Sequence, residues 1–166
     1  EASAWCRWAG RRLPREHEWE VAALGAAVTG GGSLAEGKRR YPWAGDGPDP
    51  QRANLAGHAL GCIDVAALPA GDSAFGCRQM LGNVWEWMAD PGYYPVSGLP
   101  AYEREVERAR SSGLTVPMRP ESRILKGGSF LSWSDPAQFR IATRGHQHGA
   151  ETLEAVGFRV AVDRQP

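Results

Sequence analysis

One carboxylate of this sequence stands between two of its largest apolar side chains. In the stretch GNVWEWMAD, residues 82–90, Glu86 lies between Trp85 and Trp87. A carboxylate among bulky rings loses its hydration unless a metal ion, a cationic side chain or hydrogen-bond donors compensate for it. We therefore expect Glu86 to point inward, to a metal ion or a fixed hydrogen-bond network, and the tryptophans to wall off a pocket.

The histidines and cysteines offer weaker arrangements. His146 and His148 form an HxH pair, and on a strand both positions share a face and would meet one metal ion. Without a third ligand, however, such a pair is more often engaged in ordinary polar contacts, and we favour that interpretation. Cys62 and Cys77 each follow a glycine, and the expected role of such thiols is that of small buried hydrophobic side chains.

The composition excludes several classes of function. Nineteen basic and nineteen acidic side chains balance, which argues against a binder of nucleic acids or membrane surfaces because both need a basic excess. No apolar run approaches the length of a membrane span. Three scattered cysteines are too few for a disulfide framework or a CxxC zinc site, so we expect a reducing compartment, the cytoplasm. The many Gly, Pro and Trp residues predict ordered loops with aromatic side chains between them.

A few regular elements must position these residues. In the second predicted helix, the expected buried stripe is Trp19, Val21, Ala22 and Leu24. Residues 52–81 are predicted to be coil with one or two short strands. The predicted helices are 2–9, 14–26 and the surface segment 100–113, and the predicted strands are RILKGGSF (123–130), AQFRIATR (137–144) and VGFRVAVD (156–163).

The order of the motifs is itself a pattern. The segments AWCRWAGRRLPREHEWEVAA, YPWAGD, ANLAG, FGCRQMLGNVWEW, RILKGGSF and VGFRVA follow one another. In this order they closely resemble the formylglycine-generating enzyme superfamily, which includes the sulfatase-modifying factors and the C-terminal domains of ergothioneine, ovothiol and selenoneine synthases. The resemblance covers Ala2 to Val162 and is strongest to the sulfoxide-synthase branch. It implies an α+β fold with a C-type-lectin-like core and little regular secondary structure. It also implies that residues 1–166 form a single partial domain without the family's first strands and helix.

The resemblance implies a structural calcium site in the loop around Glu86. Calcium takes several oxygen ligands at flexible angles, which a backbone loop with one carboxylate supplies. The alternative, which we keep open, is that Glu86 forms a salt bridge with an arginine beneath the tryptophans. The calcium ligands implied are the side chains of Gln79 and Glu86 and the carbonyl groups of Gly82 and Val84.

The two chemistries of the superfamily make different demands on this sequence. Formylglycine-generating enzymes bind copper through two cysteines shortly after GGS, where this sequence has Ser132 and then Pro136 or Ala137, and no cysteine follows Cys77. Because Cu(I) selects soft sulfur ligands, the sequence argues against formylglycine generation. Sulfoxide synthases hold a non-heme iron through three histidines of a separate N-terminal domain, so the resemblance implies that iron comes from another domain or chain.

The resemblance also indicates where a substrate would bind. Tyr93 and Tyr94 correspond to an aromatic active-site loop, as a proton donor or pocket wall, although an aromatic-anchored turn is the alternative. Ergothioneine synthases grip the amino acid end of their thiol substrate with an Asp and an Arg at positions close to Gln147 and Glu151. Charge is lost at one position and reversed at the other, so we expect a different substrate. The predicted pocket residues are Trp87, Tyr93, Tyr94, Ser132, Trp133, Arg140, His146, Gln147 and His148.

The favoured hypothesis is a pocket-forming C-terminal domain of a sulfoxide-synthase-like enzyme that forms a carbon–sulfur or carbon–selenium bond. Its partners would be a small-molecule thiol or amine substrate and a missing N-terminal domain or partner chain, without which the chain is expected to be inactive. A non-catalytic, lectin-like ligand-binding domain, as in the variable proteins of diversity-generating retroelements, is the alternative. Formylglycine generation is a third, disfavoured by the absent cysteines.

Overall fold

Two short helices open the chain. α1 spans Ala2–Trp8 and α2 spans Glu16–Leu24, so the predicted helices 2–9 and 14–26 are confirmed, with ends one or two residues inside the predicted ones. The Glu18 carboxylate at the start of α2 accepts the backbone N–H of Arg15 at 2.8 Å, which satisfies a donor that the helix itself leaves free. These and all later statements refer to the residues that a computed structural model describes, which are 1–26, 33–34, 40–43, 47, 49–92, 104, 107–108, 110–113, 122–132, 140–149 and 153–163.

The described strands form two sheets. The strands are β1 (Gly25–Ala26), β2 (Ser33–Leu34), β3 (Trp85–Pro91), β4 (Ser122–Lys126), β5 (Gly145–His148) and β6 (Val156–Gly157). One sheet has four strands, in the order β5-β4-β3-β6. β3 pairs with β4, and β4 with β5, in antiparallel register, whereas β3 and β6 are parallel. A separate two-stranded antiparallel sheet pairs β1 with β2.

α2 packs against one face of the four-stranded sheet. Its positions 16, 19, 20 and 23 share one helix face, and Trp19 and Ala23 are buried with Met88 of β3 and Ile124 of β4. The rest of this core comes from the coil segments, through Tyr41, Trp43, Ala53, Leu55, Met80, Leu81 and Ile141. Of the predicted stripe, Trp19 is buried and Ala22 and Leu24 pack against the core while partly buried, so the prediction was right at these positions and wrong at Val21.

The inward face of α2 carries acidic side chains that the apolar pattern does not predict. Val21, which the apolar pattern placed in the core, is 43% exposed. Two acids take the inward face instead, because the ammonium group of Lys126 in β4 donates to Glu20 at 2.7 Å and lies 3.4 Å from Glu16. Lys126 is 0% exposed, and a buried charge of this kind requires such partners.

Residues 49–84 are coil held together by polar contacts. They contain no strand, contrary to the prediction for residues 52–81, and one 3-10 turn at Pro69–Gly71. The side chain of Asn83 accepts the N–H of Ile63 at 2.8 Å and donates to its carbonyl at 3.2 Å. Gly82 has a φ of 80°, and a Cβ there would lie 2.5 Å from the carbonyl oxygen of Asn54. Only glycine fits so close a backbone approach.

The strand predictions met mixed outcomes. RILKGGSF contains β4, as predicted. The described part of AQFRIATR, residues 140–144, is turn and coil, and the strand follows it at 145–148. In VGFRVAVD only Val156–Gly157 pairs as a strand, and Ala161 adds an isolated bridge to Arg12. β3 was not predicted, because its inward-facing glutamate conceals the period-two alternation.

In the segment predicted as a surface helix, residues 100–113, the described positions Arg104, Glu107, Arg108, Arg110 and Ser111 are helical and exposed. Gly113 follows with a φ of 73°. None of the helices among the described residues combines the length and apolar character needed to cross a bilayer. The predicted scarcity of regular secondary structure is confirmed, since every described strand and helix has nine residues or fewer.

Candidate functional site

The two faces of β3 have opposite character. Glu86 and Met88 are buried on the face that α2 covers, at 6% and 0% exposure. Trp85 and Trp87 occupy the alternate positions and are half-buried on the other face. The prediction that Glu86 points inward is therefore confirmed. The outer face of β3 is therefore more open to solvent than the inner face.

An open pocket of about 620 Å³ lies on this outer face. Trp85, Leu125 and Gly145 contribute from β3, β4 and β5. The loop after β4 and the segment that leads into β6 close its sides. The full lining is Trp85, Leu125, Ser129, Leu131, Ser132, Gly145, Gln147, Leu153, Glu154, Ala155 and Val156.

The shape of the pocket floor depends on a glycine. A Cβ at Gly145 would lie 3.3 Å from Cζ3 of Trp85 and 3.4 Å from Cβ of Leu125. Since Gly145 has no side chain, the Trp85 indole lies close to the β5 backbone. The floor is consequently a flat aromatic and aliphatic surface, suited to the apolar part of a small molecule.

The polar groups of the pocket are few and differ in how firmly they are held. The hydroxyl oxygen of Ser132 accepts the N–H of Ser129 at 3.0 Å, and the N–H of Ser132 donates to the Ser129 carbonyl at 2.9 Å. The backbone carbonyl of Gln147 accepts the Ser122 hydroxyl at 3.2 Å, which ties β5 to β4. Glu154 is the only charged side chain among the lining residues. It is exposed and forms no ion pair with the described part of the chain.

On the opposite face, Glu86 is fully engaged. Its Oε2 accepts Nε of Arg159 at 2.5 Å and Nε1 of Trp19 at 2.7 Å, and its Oε1 accepts Nη2 of Arg159 at 2.7 Å. Burial lowers the pKa of Arg159, but hydrogen bonding to Glu86 and its negative charge outweigh the burial and leave this pKa raised. This is the salt-bridge alternative for Glu86.

The predicted calcium ligands can be compared with these contacts. Oε1 of Gln79 is buried without a hydrogen-bond partner, as a metal ligand would be before metal binds, while its Nε2 donates to the Ala67 carbonyl at 2.7 Å. Arg159 neutralises Glu86, however, and Gly82 and Val84 offer only neutral carbonyls. Because calcium affinity depends on the charge of the ligands, this donor set does not fit a calcium ion well, and calcium here stays a prediction.

Other metal ligands are also scarce in the described structure. No group of three or more His, Cys, Asp or Glu side chains that the structure describes is placed to hold a metal ion, and the side chains of His146 and His148 are not among those described. His146 and His148 both belong to β5, in register with Ile124 and Ser122 of β4. The pocket-lining residues of β5, Gly145 and Gln147, are the alternate positions. The histidine side chains that the structure describes, those of His17 and His58, therefore do not form an iron centre of three histidines.

The structure brings some of the predicted pocket residues together. Ser132 and Gln147 line the pocket. Trp87 shares the outer face of β3 but is not a lining residue, and Arg140 is exposed in a turn, where its N–H donates to Thr143 Oγ1 at 3.3 Å. Tyr93, Tyr94 and Trp133 lie outside the described residues.

Sequence reasoning missed several lining residues. Trp85 was predicted to form part of a pocket wall but was not among the predicted substrate-binding residues. Had the segment been predicted as a strand, its alternating side chains would have placed Trp85 on the same face as Trp87. Glu154 and its apolar neighbours belong to a coil segment without periodicity. Their position follows only from the pairing of β6 with β3.

Comparisons with known proteins agree with this architecture. Residues 1–164 match the family model of the sulfatase-modifying factor enzyme 1-like domain. The hercynine oxygenase of Mycobacterium tuberculosis is 38% identical over 168 residues, which cover 98% of this chain and 35% of that protein. The formylglycine-generating enzyme of the same organism is 34% identical over 176 residues, covering 98% of this chain and 54% of that enzyme.

A solved structure shows the same fold. PvdO from Pseudomonas aeruginosa superposes with a TM-score of 0.62 at 21% identity, over 96% of this chain and 57% of that one. This likeness extends to the fold alone. The chain spans 35% of the length of the hercynine oxygenase that it matches.

Proposed function

This chain belongs to the sulfatase-modifying factor enzyme 1-like family, and on that premise we propose that it forms the substrate pocket of an oxygenase-type enzyme. In this proposal a small thiol or amine substrate binds on the outer face of β3. A C–H bond of the amine substrate and the S–H bond of the thiol, or the Se–H bond of a selenol, are broken and a carbon–sulfur or carbon–selenium bond forms. Dioxygen is the four-electron oxidant: one of its oxygen atoms stays on sulfur or selenium as the oxide and the other leaves as water with the two protons. The similarity to hercynine oxygenase supports the oxygenase class.

The pocket at Trp85 is the observation that carries the proposal. It has the volume expected of a small-molecule site, about 620 Å³, and an apolar floor with few polar groups. Two residues that the sequence pointed to, Ser132 and Gln147, meet there although 15 positions separate them in the sequence.

Each polar lining group has a defined task in this proposal. Trp85 and Leu125 hold the apolar part of the substrate and exclude water from it. The Gln147 amide and the Ser132 hydroxyl orient a polar group by hydrogen bonds. Glu154 attracts a positively charged amine, and an ammonium group over the face of Trp85 adds a cation–π contact of about 0.5–2 kcal/mol.

The catalytic metal has to come from elsewhere in this proposal. The described side chains, which do not include those of His146 and His148, form no three-histidine iron site. In this proposal another domain or chain supplies the iron, which activates oxygen when bound. The described lining residues bind and orient the substrate. A thiolate copper mechanism is not supported, because none of the described lining residues is a cysteine.

Binding to the pocket can be measured directly. We expect hercynine, or a small thiol without a carboxylate such as cysteamine, to bind the full chain in isothermal titration calorimetry. Trp85→Ala should weaken binding at least about tenfold, equivalent to about 1.4 kcal/mol, because it removes the aromatic floor. Trp8→Ala is the matched control, since Trp8 is 83% exposed and does not line the pocket.

Activity separates the oxygenase from its alternative. With the iron-bearing domain or chain present, we expect oxygen consumption that requires the thiol and falls in the Trp85→Ala variant. Equal affinity of Trp85→Ala and Trp8→Ala would contradict the proposed site. Ligand binding that depends on Trp85, with no oxygen consumption by the iron-loaded complex, would favour the non-catalytic ligand-binding domain.

A further inference from the structure

The guanidinium group of Arg159 lies where the loop 78–86 turns its oxygen atoms inward. It donates to both carboxylate oxygens of Glu86, at 2.5 and 2.7 Å, and its Nη2 also donates to the backbone carbonyls of Arg78 and Gln79 at 3.1 and 3.3 Å. One carboxylate and two backbone carbonyls are oxygen ligands of the kind that a calcium ion takes. The contacts of Arg159 therefore resemble a cation site in which the cation is a side chain.

The charges in this loop favour the side chain over a metal ion. Glu86 carries the only negative charge of the predicted calcium ligands, and Arg159 cancels it. The indole N–H of Trp19 takes a further lone pair of Glu86 at 2.7 Å. A divalent ion would have to bind a neutral set of ligands next to a guanidinium group, and calcium affinity falls as ligand charge is lost.

The unpartnered amide oxygen of Gln79 does not reverse this balance. Its Oε1 is buried without a hydrogen-bond partner, so a cation bound there would compensate for the lost hydration. As a neutral amide it offers a dipole and no charge, and its Nε2 is already held by the Ala67 carbonyl. We propose that Arg159 is the resident cation of the loop 78–86, and that the fold of this loop is independent of calcium.

Thermal unfolding of the full chain tests this without any substitution. Because the loop already has its cation, the unfolding midpoint of the wild-type chain should change by less than about 1 °C between excess EDTA and millimolar calcium chloride. A saturable rise of the midpoint with calcium would overturn the inference. Arg159→Ala should lower the midpoint by about 10 °C, since it leaves Glu86 buried and unpaired, and an unchanged midpoint would equally overturn it.

Chemical rescue distinguishes a resident cation from general packing. Arg159 also lines an open pocket of about 590 Å³, together with Trp5 and Phe158, through which a small solute can reach the vacated position. Millimolar methylguanidinium should raise the midpoint of Arg159→Ala, whereas methylammonium at equal ionic strength should raise it less, since it lacks the planar fork. If calcium restores the variant and methylguanidinium does not, the inference fails.

A matched variant and a conservative one complete the test. Arg144 also holds a glutamate, Glu16, through two contacts of 2.6 and 2.7 Å, but it is 38% exposed. Arg144→Ala should lose much less stability and show no rescue. If Arg159→Ala does not fold, Arg159→Lys takes its place. The lysine variant should unfold below the wild-type midpoint because it cannot donate to Glu86 and two carbonyls in one plane, and equal midpoints would count against the inference.

Discussion

The two faces of β3 use polar side chains in opposite ways. On the inner face, Glu86 is 6% exposed and accepts three hydrogen bonds from Arg159 and Trp19. On the outer face, Glu154 is exposed beside the pocket and has no ion pair within the described structure. Groups of the first kind are consumed in holding the fold, and groups of the second kind stay available for a ligand. Chemical type alone does not separate the two carboxylates, whereas burial and partners do.

The largest effect should come from breaking the inner face. Glu86→Ala leaves the Arg159 guanidinium partly buried without its counter-charge, and we expect a loss of about 3–5 kcal/mol in the free energy of unfolding. Urea denaturation of the full chain measures this. Glu154→Ala on the outer face should cost less than about 0.5 kcal/mol. Similar losses for the two variants would remove the distinction between the faces.

A second inner-face pair should matter less because its acids are nearer to solvent. Lys126→Met preserves side-chain volume but deprives Glu20 of its partner at 2.7 Å, and Glu20 is 38% exposed. We expect a loss of about 1–3 kcal/mol. Adding Glu20→Gln to Lys126→Met should recover part of it, since the two positions are coupled. Fully additive losses would show that the pair does not interact energetically.

The outer face should respond in binding more than in stability. A Cβ at Gly145 meets Trp85 at 3.3 Å and Leu125 at 3.4 Å, so Gly145→Ala should cost about 1 kcal/mol of stability. It should also weaken ligand binding several-fold, because it narrows the pocket floor. Gly61→Ala is the control, since a Cβ there meets nothing within 4 Å. If Glu86→Gln weakened ligand binding and Gly145→Ala did not, the ligand would bind on the inner face of β3, contrary to the proposal.

The sequence predicted the parts of the fold that follow from local pattern. Both N-terminal helices and β4 could be found from apolar spacing, capping and turn residues. The family resemblance supplied the overall architecture, which short elements and long coil would otherwise conceal. The inward position of Glu86 followed from the cost of burying a carboxylate among indole rings.

What the sequence could not predict depends on long-range pairing. The core face of α2 was predicted only in part, because Glu16 and Glu20 turn inward to a lysine more than 100 positions away. The sequence suggested an arginine as one possible partner of Glu86 but did not indicate which one, because Arg159 is 73 positions away in the chain. Glu154 reaches the pocket only because β6 runs parallel to β3, a pairing without a local signal.

A more exposed ion pair shows how much burial adds to the stabilisation that a salt bridge gives. Arg12 joins Glu18 at 2.7 Å and Asp163 at 2.8 Å, and the Arg12 and Glu18 side chains are each 35% exposed. Hydrogen bonding to Arg12 lowers the pKa of Glu18 from 4.5 to about 2. A carboxylate whose pKa is lower in the folded state stabilises the fold above its unfolded pKa and loses this effect as the pH falls. The contribution should therefore be complete above pH 4.5 and disappear as the pH falls toward 2.

Urea denaturation of the wild-type chain and of Arg12→Ala across this pH range measures the contribution of this ion pair to the free energy of unfolding. After allowance for solvent screening, we expect a difference of about 1 kcal/mol near neutral pH, which shrinks as Glu18 is protonated. The same substitution also releases Asp163, whose pKa is lowered chiefly by hydrogen bonding to Arg12, so the difference should decline over the acidic range rather than in one step. A difference as large as that of Glu86→Ala, or one that does not change with pH, would mean that burial is not what separates the ion pairs of this fold.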